Sequence, residues 1–227
     1  MLKYTKLREI VQLTMNKLEV CEIFKSIQGE STLAGTLCSF VRLSGCNLSC
    51  TYCDTQYAQT ESTPMIIDEV VEKIETHSTK IVEITGGEPL LQKPTPILCD
   101  IFLQKGYTVL VETNGSCDIA VISPKCKRIV DIKCPSSGMC GSFLESNYDQ
   151  ITSFDELKFV ISDKNDFDWA KDLVFSRKLD QLTTVIFSPN LDKISPAQIA
   201  EWIVNSSVPV RFGIQLHKII WGKKRGV

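Results

Sequence analysis

The chain lacks an excess of charge of either sign. Its 25 Lys and Arg against 27 Asp and Glu leave a formal charge of -2, so it offers no electrostatic footprint for a nucleic acid. Lys218 and Lys223 to Arg225 form a small basic tail, which reads as a solvated end. Also missing are an apolar stretch long enough to cross a bilayer and an N-terminal run with the apolar core of a signal peptide; both absences point to a cytoplasmic chain with no membrane partner. Histidine is scarce: His77 falls at a helix end and reads as a solvated cap, and His217 is a candidate for lining a pocket. No internal repeat and no second-domain boundary is visible, so 15–227 is expected to be one working domain. Residues 1–14 read as a mixed polar leader, with Met15 as a candidate start.

Cysteine, by contrast, is plentiful, with ten in 227 residues. In a reducing compartment a disulfide framework is not expected. Cys21, Cys38, Cys99, Cys117, Cys126, Cys134 and Cys140 read as small buried or half-buried residues. The other three, Cys46, Cys50 and Cys53, stand at CxxxCxxC spacing within Arg42 to Thr55, RLSGCNLSCTYCDT. Three thiolates from one loop can hold three irons of a cubane cluster and leave the fourth iron open for a reaction, whereas a four-cysteine ferredoxin spacing would close it. The alternatives are a structural zinc knuckle, which wants a fourth Cys or His near by, and chance in a Cys-rich chain.

Periodicity sets the frame around that loop. LEVCEIFKSI from Leu18 alternates as a strand and breaks at Gln28-Gly29-Glu30, and TLCSFVRLS delivers Arg42 to the cysteine loop. Ile67, Val70, Val71 and Ile74 share one helix face. Strands are expected at Ile81–Ile84, Tyr107–Val111, Arg128–Ile132, Glu156–Ile161, Thr184–Phe187 and Val208–Ile214. Helices are expected after Thr95 as N-cap, around Trp169 to Val174, and after the Ser195-to-Gln198 capping box. Cys134 to Tyr148 shows no clean period and reads as an active-site loop. The unusual residues cluster where strands end. This pattern predicts an α/β fold, a partial, splayed parallel β/α barrel of about six core strands with fewer helices than a full barrel; an open doubly wound sheet is the alternative.

CNLSCTYC, with an aromatic before the third Cys, and the later TGGEP together resemble the radical S-adenosylmethionine superfamily. Within it, FKSIQGE, VRLSGCNLSCTYCDT, ITGGEPLLQ, VETNGS and DIKCPSSG are similar to the 7-carboxy-7-deazaguanine synthase family, over essentially Leu18 to the C-terminus. That resemblance implies a radical lyase that converts 6-carboxy-5,6,7,8-tetrahydropterin to 7-carboxy-7-deazaguanine with loss of ammonia, on the route to 7-deazapurines such as queuosine. It implies a 4Fe-4S cluster on Cys46, Cys50 and Cys53, whose open iron would chelate S-adenosylmethionine. It places the rest of that cofactor against Tyr52, Gly86, Gly87, Glu88, Ser123, Pro124, Lys125, Ser188 and Asn190. Magnesium would be held through Thr55 rather than the neighbouring Asp54. The pterin would lie against Ile27, Gln28, Gly29, Glu30, Thr85 and Arg42, the last meeting the substrate carboxylate. Asp131, Lys133 and Lys158 end up facing the same mouth, each as readily a structural ion pair as a ligand contact. A flavodoxin-like electron donor and a homodimer are implied as partners. Another radical S-adenosylmethionine enzyme, such as a glycyl-radical activase, and a non-catalytic zinc- or cluster-binding module are the competing readings.

Overall fold

In the computed structural model, residues 16–227 are described; the expected leader and Met15 lie outside them. Strands β1 (Lys17–Ile27) and β2 (Leu37–Leu43) pair antiparallel, and β3 (Thr63–Ile66) adds antiparallel to the outer edge of β1. Helix α1 (Ile67–Thr76) leads to β4 (Ile81–Gly86), and α2 (Thr95–Gln104) to β5 (Thr108–Thr113). β6 (Lys127–Asp131) and β7 (Glu156–Ile161) follow with only short 3-10 turns before each, as the missing helical period implied. Then come α3 (Lys164–Arg177), α4 (Leu179–Leu182), β8 (Thr184–Pro189), α5 (Pro196–Ser206), β9 (Arg211–Phe212) and α6 (Leu216–Trp221).

Among the described residues the sheet order is β3-β1-β2-β4-β5-β6-β7-β8-β9, and every pair from β2 to β9 is parallel. Those strands lie side by side in chain order. A doubly wound sheet must reverse its order at a switch point, and none occurs here. The sheet ends at β3 and β9 instead of closing, so the partial barrel, not the doubly wound sheet, is the fold.

Helices α1, α2, α3 and α5 each lay apolar side chains against the sheet. On α1 the buried residues are Ile67, Val70, Val71 and Ile74, which pack with Leu98 and Phe102 of α2 against β1, β2, β4 and β5. A second cluster joins Phe167, Ala170 and Val174 of α3 and Ile199 of α5 to Leu157, Phe159 and Phe187. Truncating a fully buried member such as Ile74 to Ala costs about 2–5 kcal/mol.

Local departures have local causes. β3 escapes a sequence reading because it is four residues long and contains Pro64, which an edge strand tolerates. The final strand pairs only at Arg211 and Phe212, and the residues after it turn into α6. Thr95 sits inside α2, its hydroxyl donating to Pro89 O at 2.7 Å, while Ser195 caps α5 as expected by accepting from Gln198 N. Cys140 is exposed, whereas Cys38, Cys99, Cys126 and Cys134 are buried.

Candidate active site

Parallel strands bring their C-terminal ends to one edge of the sheet, and there a cavity of about 220 Å³ opens into the half barrel. One ordered water needs only roughly 10–15 Å³, so the space is ligand-sized. All three loop cysteines line it, together with Ile27, Gln28, Gly29, Glu30, Arg42, Tyr52, Thr55, Thr85, Gly86, Gly87 and Asn190. Residues spread over more than 160 positions of sequence thus meet around one volume.

The cysteine loop is fastened from three sides. Gly45 N donates to Ala58 O at 2.8 Å, and Thr51 donates through N and Oγ1 to Ser137 O and Ser136 O at 3.0 and 2.7 Å. Behind it, Gly87 N reaches Leu43 O and Glu88 N reaches Gly45 O. A Cβ on Gly86 would fall 2.2 Å from Leu43 O, and one on Gly87 would fall 2.1 Å from Gly45 O. The glycine pair is therefore required by the close seating of the cysteine loop itself. Residues 134–148 brace that loop and do not line the cavity.

Cys46, Cys50 and Cys53 are half-buried free thiols. Burial pushes the Cys46 and Cys50 thiols up from their usual range, so their deprotonation belongs to metal binding. Among the described residues, no three His, Cys, Asp or Glu side chains converge tightly enough to hold a single metal ion. A tetrahedral zinc site would bring thiolates to about 3.8 Å of one another, given Zn–S bonds near 2.3 Å. Three soft donors spread round one cavity fit a polynuclear iron-sulfur group better.

Two buried polar atoms beside them have no partner among the described residues: Tyr52 Oη and Asp131 Oδ1. Both residues line the cavity. Burial raises the Tyr52 phenol, with the Asp131 carboxylate adding to the effect. The second Asp131 oxygen accepts from Lys133 Nζ at 2.9 Å. An orphaned donor and acceptor beside the thiols fit the polar groups of S-adenosylmethionine.

Several expected contacts lie elsewhere. Ser123-Pro124-Lys125 forms the turn before β6, at the opposite end of the parallel sheet from the cavity, with Cys126 N returning to Ser123 O at 2.9 Å. A ligand at the strand C-termini cannot reach that turn; the cavity end of β6 carries Asp131 and Lys133 instead. Glu88 is fully buried and outside the lining, its carboxylate accepting from Leu90 N, Thr113 Oγ1 and Asn114 N at 3.0, 2.8 and 2.7 Å. Ser188 is buried beneath Gly213 and also outside the lining.

Deeper in, the wall is ionic. Lys158 Nζ lies 2.6 Å from Glu30, 2.5 Å from Glu112 and 3.5 Å from Asp131. Burial opposes the Lys158 charge, but those carboxylates carry it well above the usual lysine range. Burial would likewise raise Glu30, yet Lys158 and then His217 bring it down to about 2. Gln28 Nε2 donates to Glu83, and Gln215 Nε2 to Glu30 at 2.8 Å. Arg42 Nε holds Glu22 at 2.8 Å, and Thr85 Oγ1 donates to Glu112 at 3.2 Å. Lys218 pairs with Asp54 at 2.6 Å and His217 rests on Gly29, so α6 borders the cavity. Glu83, Glu112 and Gln215 also line the cavity, beyond the residues that the sequence motifs mark. The available signal was a lone acid inside each of the apolar strands Ile81–Gly86 and Thr108–Thr113.

Known proteins match this arrangement. Residues 40–130 match the Radical SAM superfamily. The 7-carboxy-7-deazaguanine synthase of Koribacter versatilis is 38% identical over 219 residues, covering 90% of this chain and 97% of that protein. The one of Chlorobaculum tepidum is 39% identical over 214 residues, covering 92% and 97%. Among solved structures, QueE from Escherichia coli superposes with a TM-score of 0.72 at 21% identity, over 88% of this chain and 95% of that one. At that identity the likeness concerns the fold, and it agrees with the partial barrel. No described helix is long and apolar enough to cross a membrane. Three thiols on one loop, a ligand-sized cavity around them and relatives matched over nearly their whole length lead to one conclusion: the chain belongs to the 7-carboxy-7-deazaguanine synthase family, radical S-adenosylmethionine lyases that use an iron-sulfur cluster.

Proposed function

We propose that this cavity converts 6-carboxy-5,6,7,8-tetrahydropterin to 7-carboxy-7-deazaguanine with loss of ammonia. The observation that carries the reading is the opening of the three-cysteine loop and the Gln28-Glu30-Arg42-Thr85 wall onto one volume. When bound, the 4Fe-4S cluster and S-adenosylmethionine supply a radical that removes a substrate hydrogen atom. Cys46, Cys50 and Cys53 hold the cluster. Tyr52, Gly86, Gly87, Asn190, Asp131 and Lys133 border the S-adenosylmethionine, with the orphaned Tyr52 and Asp131 atoms as its polar contacts.

The chain's own residues orient the pterin and exclude water. Gln28, Glu30 and Thr85 offer the donors and acceptors that a pyrimidinone edge needs. Arg42, held by Glu22, presents its remaining guanidinium donors to the substrate carboxylate. Thr55 and Asp54 both line the cavity, Thr55 with its hydroxyl 3.8 Å from Cys53 Sγ, but the Asp54 carboxylate is engaged by Lys218. That difference favours Thr55 as the protein's ligand to magnesium, a cation that keeps waters and takes substrate oxygens for the rest of its shell. The working unit is 15–227, acting as a homodimer in the cytoplasm with a flavodoxin-like electron donor and without nucleic acid or membrane.

Anaerobic reconstitution followed by incubation with the pterin, S-adenosylmethionine, magnesium and dithionite tests the reading. A brown protein that bleaches with dithionite and forms 7-carboxy-7-deazaguanine is expected; a clean cluster without that product would refute the substrate. Thr55→Ala is expected to keep the cluster spectrum while turnover drops, and loss of the cluster would contradict its assignment to magnesium.

A further inference from the structure

Two buried carboxyls near the site are pushed up from the usual range, and their surroundings differ. Glu88 has both oxygens occupied by N–H and O–H donors of the β4 and β5 ends, and it lies outside the cavity. Glu83, on β4, is 2% exposed and lines the cavity. Among the described residues its carboxyl receives one hydrogen bond, from Gln28 Nε2, and takes part in no ion pair.

Five groups around Glu83 come from four places. Glu30 faces it from the loop after β1, Cys38 and Arg42 from β2, Glu112 from β5 and Lys158 from β7. The two cations are engaged elsewhere, Arg42 with Glu22 and Lys158 with Glu30 and Glu112. Burial and then the Glu112 and Glu30 carboxylates favour the protonated form of Glu83, and Lys158 and Arg42 do not reverse this. The result is an acid that keeps its proton inside a wall of charged groups, two strands away from a carboxylate, Glu30, that does not.

We infer that Glu83 is a catalytic residue of the ammonia-releasing step, giving its proton to the departing nitrogen and then taking one from the adjacent ring carbon. The inference rests on the substrate reading above. In the step, the C–N bond breaks and its electron pair goes to nitrogen, which gains the Glu83 proton as a new N–H bond of ammonia. The C–H bond on the neighbouring carbon breaks, its electrons form the C=C bond of the five-membered ring, and its proton restores the Glu83 carboxyl. No oxidant or reductant is consumed. Gln28 is the positioning partner, since its side chain also accepts from Glu30 N and so ties the acid to the pterin-binding loop.

Glu83→Gln tests this, because the amide keeps the shape and a hydrogen-bond donor but has no proton to transfer. The reconstituted enzyme is given substrate deuterated at C6, and two readouts are followed: deuterium entering S-adenosylmethionine, and ammonia with 7-carboxy-7-deazaguanine. Expected is deuterium transfer within about threefold of the parent, with ammonia and product reduced by about 100-fold or more, the usual scale of a lost acid-base group. Product within threefold of the parent, or both readouts falling together, would overturn the inference. An unsubstituted enzyme that makes no product sinks the substrate reading instead, and is told apart by that alone. Should the variant fail to hold a cluster, the unsubstituted enzyme decides by its pH profile. Product formation is expected to fall on the alkaline side while deuterium transfer stays level, and two parallel profiles would overturn the proton role.

Discussion

Arg128 and Lys158 are both buried cations on neighbouring strands, and they are surrounded in opposite ways. Arg128, at the start of β6, meets one carboxylate, Asp155, through Nε at 2.9 Å and a second nitrogen at 2.6 Å. Its remaining donors reach Ile119 O and Gln150 O, and Asp155 also takes the N–H and hydroxyl of Thr152. Charge and hydrogen bonds close on themselves there. Lys158 faces three carboxylates with a fourth, Glu83, beyond, and Asp131 keeps an oxygen without a partner. A closed pair at the base of the sheet locks a fold, whereas one cation shared among several acids at the mouth leaves polar capacity for a ligand.

The largest effect is expected from Lys158→Met. With the cation gone, Glu30, Glu112 and Asp131 repel one another. Loss of one partner from a buried set costs about 3–5 kcal/mol in denaturant unfolding, and the displaced wall lowers product formation by about 100-fold. Arg128→Met is expected to cost a similar about 3–5 kcal/mol by stranding Asp155, but turnover per cluster-bearing molecule stays unchanged. Adding Asp155→Leu should recover most of that stability, and failure to recover it would show that the two networks are not of different kinds. A smaller effect concerns acid. The Glu30 carboxyl is held at about 2 against an ordinary 4.5, so its contribution to stability is present above 4.5 and is lost as pH falls toward 2. Unfolding of Glu30→Gln should therefore show a shallower decline across that window. Smallest of all, Lys105→Ala removes the solvent-exposed Glu75 pair and is expected to leave the melting temperature unchanged.

Much of this was readable in the chain, because local rules governed it. The cysteine spacing, the α1 face and the Ser195 cap each depend on neighbours a few residues away. Two kinds of feature were not. Ser123-Pro124-Lys125 has the composition of a ligand turn, but only the direction of β6 tells which end of the sheet it occupies, and it occupies the far one. Glu83 and Glu112 are single charges within apolar strands; whether such a residue points into a core or a cavity depends on the curvature of the sheet and on what lies opposite. Glu88 is the converse case, a motif residue whose carboxylate serves the turn that carries it.

Because the parallel strands lie in chain order, the interior of the half barrel is laid out as a linear text. Glu83, Glu112, Asp131 and Lys158 come from four consecutive strands and occupy four consecutive sectors of one wall. Exchanging the cavity-facing residues of a single strand therefore redraws one sector and leaves its neighbours' hydrogen-bond register alone. Such a wall can be retuned panel by panel toward other small polar molecules, while the cysteine loop at its rim stays where it is.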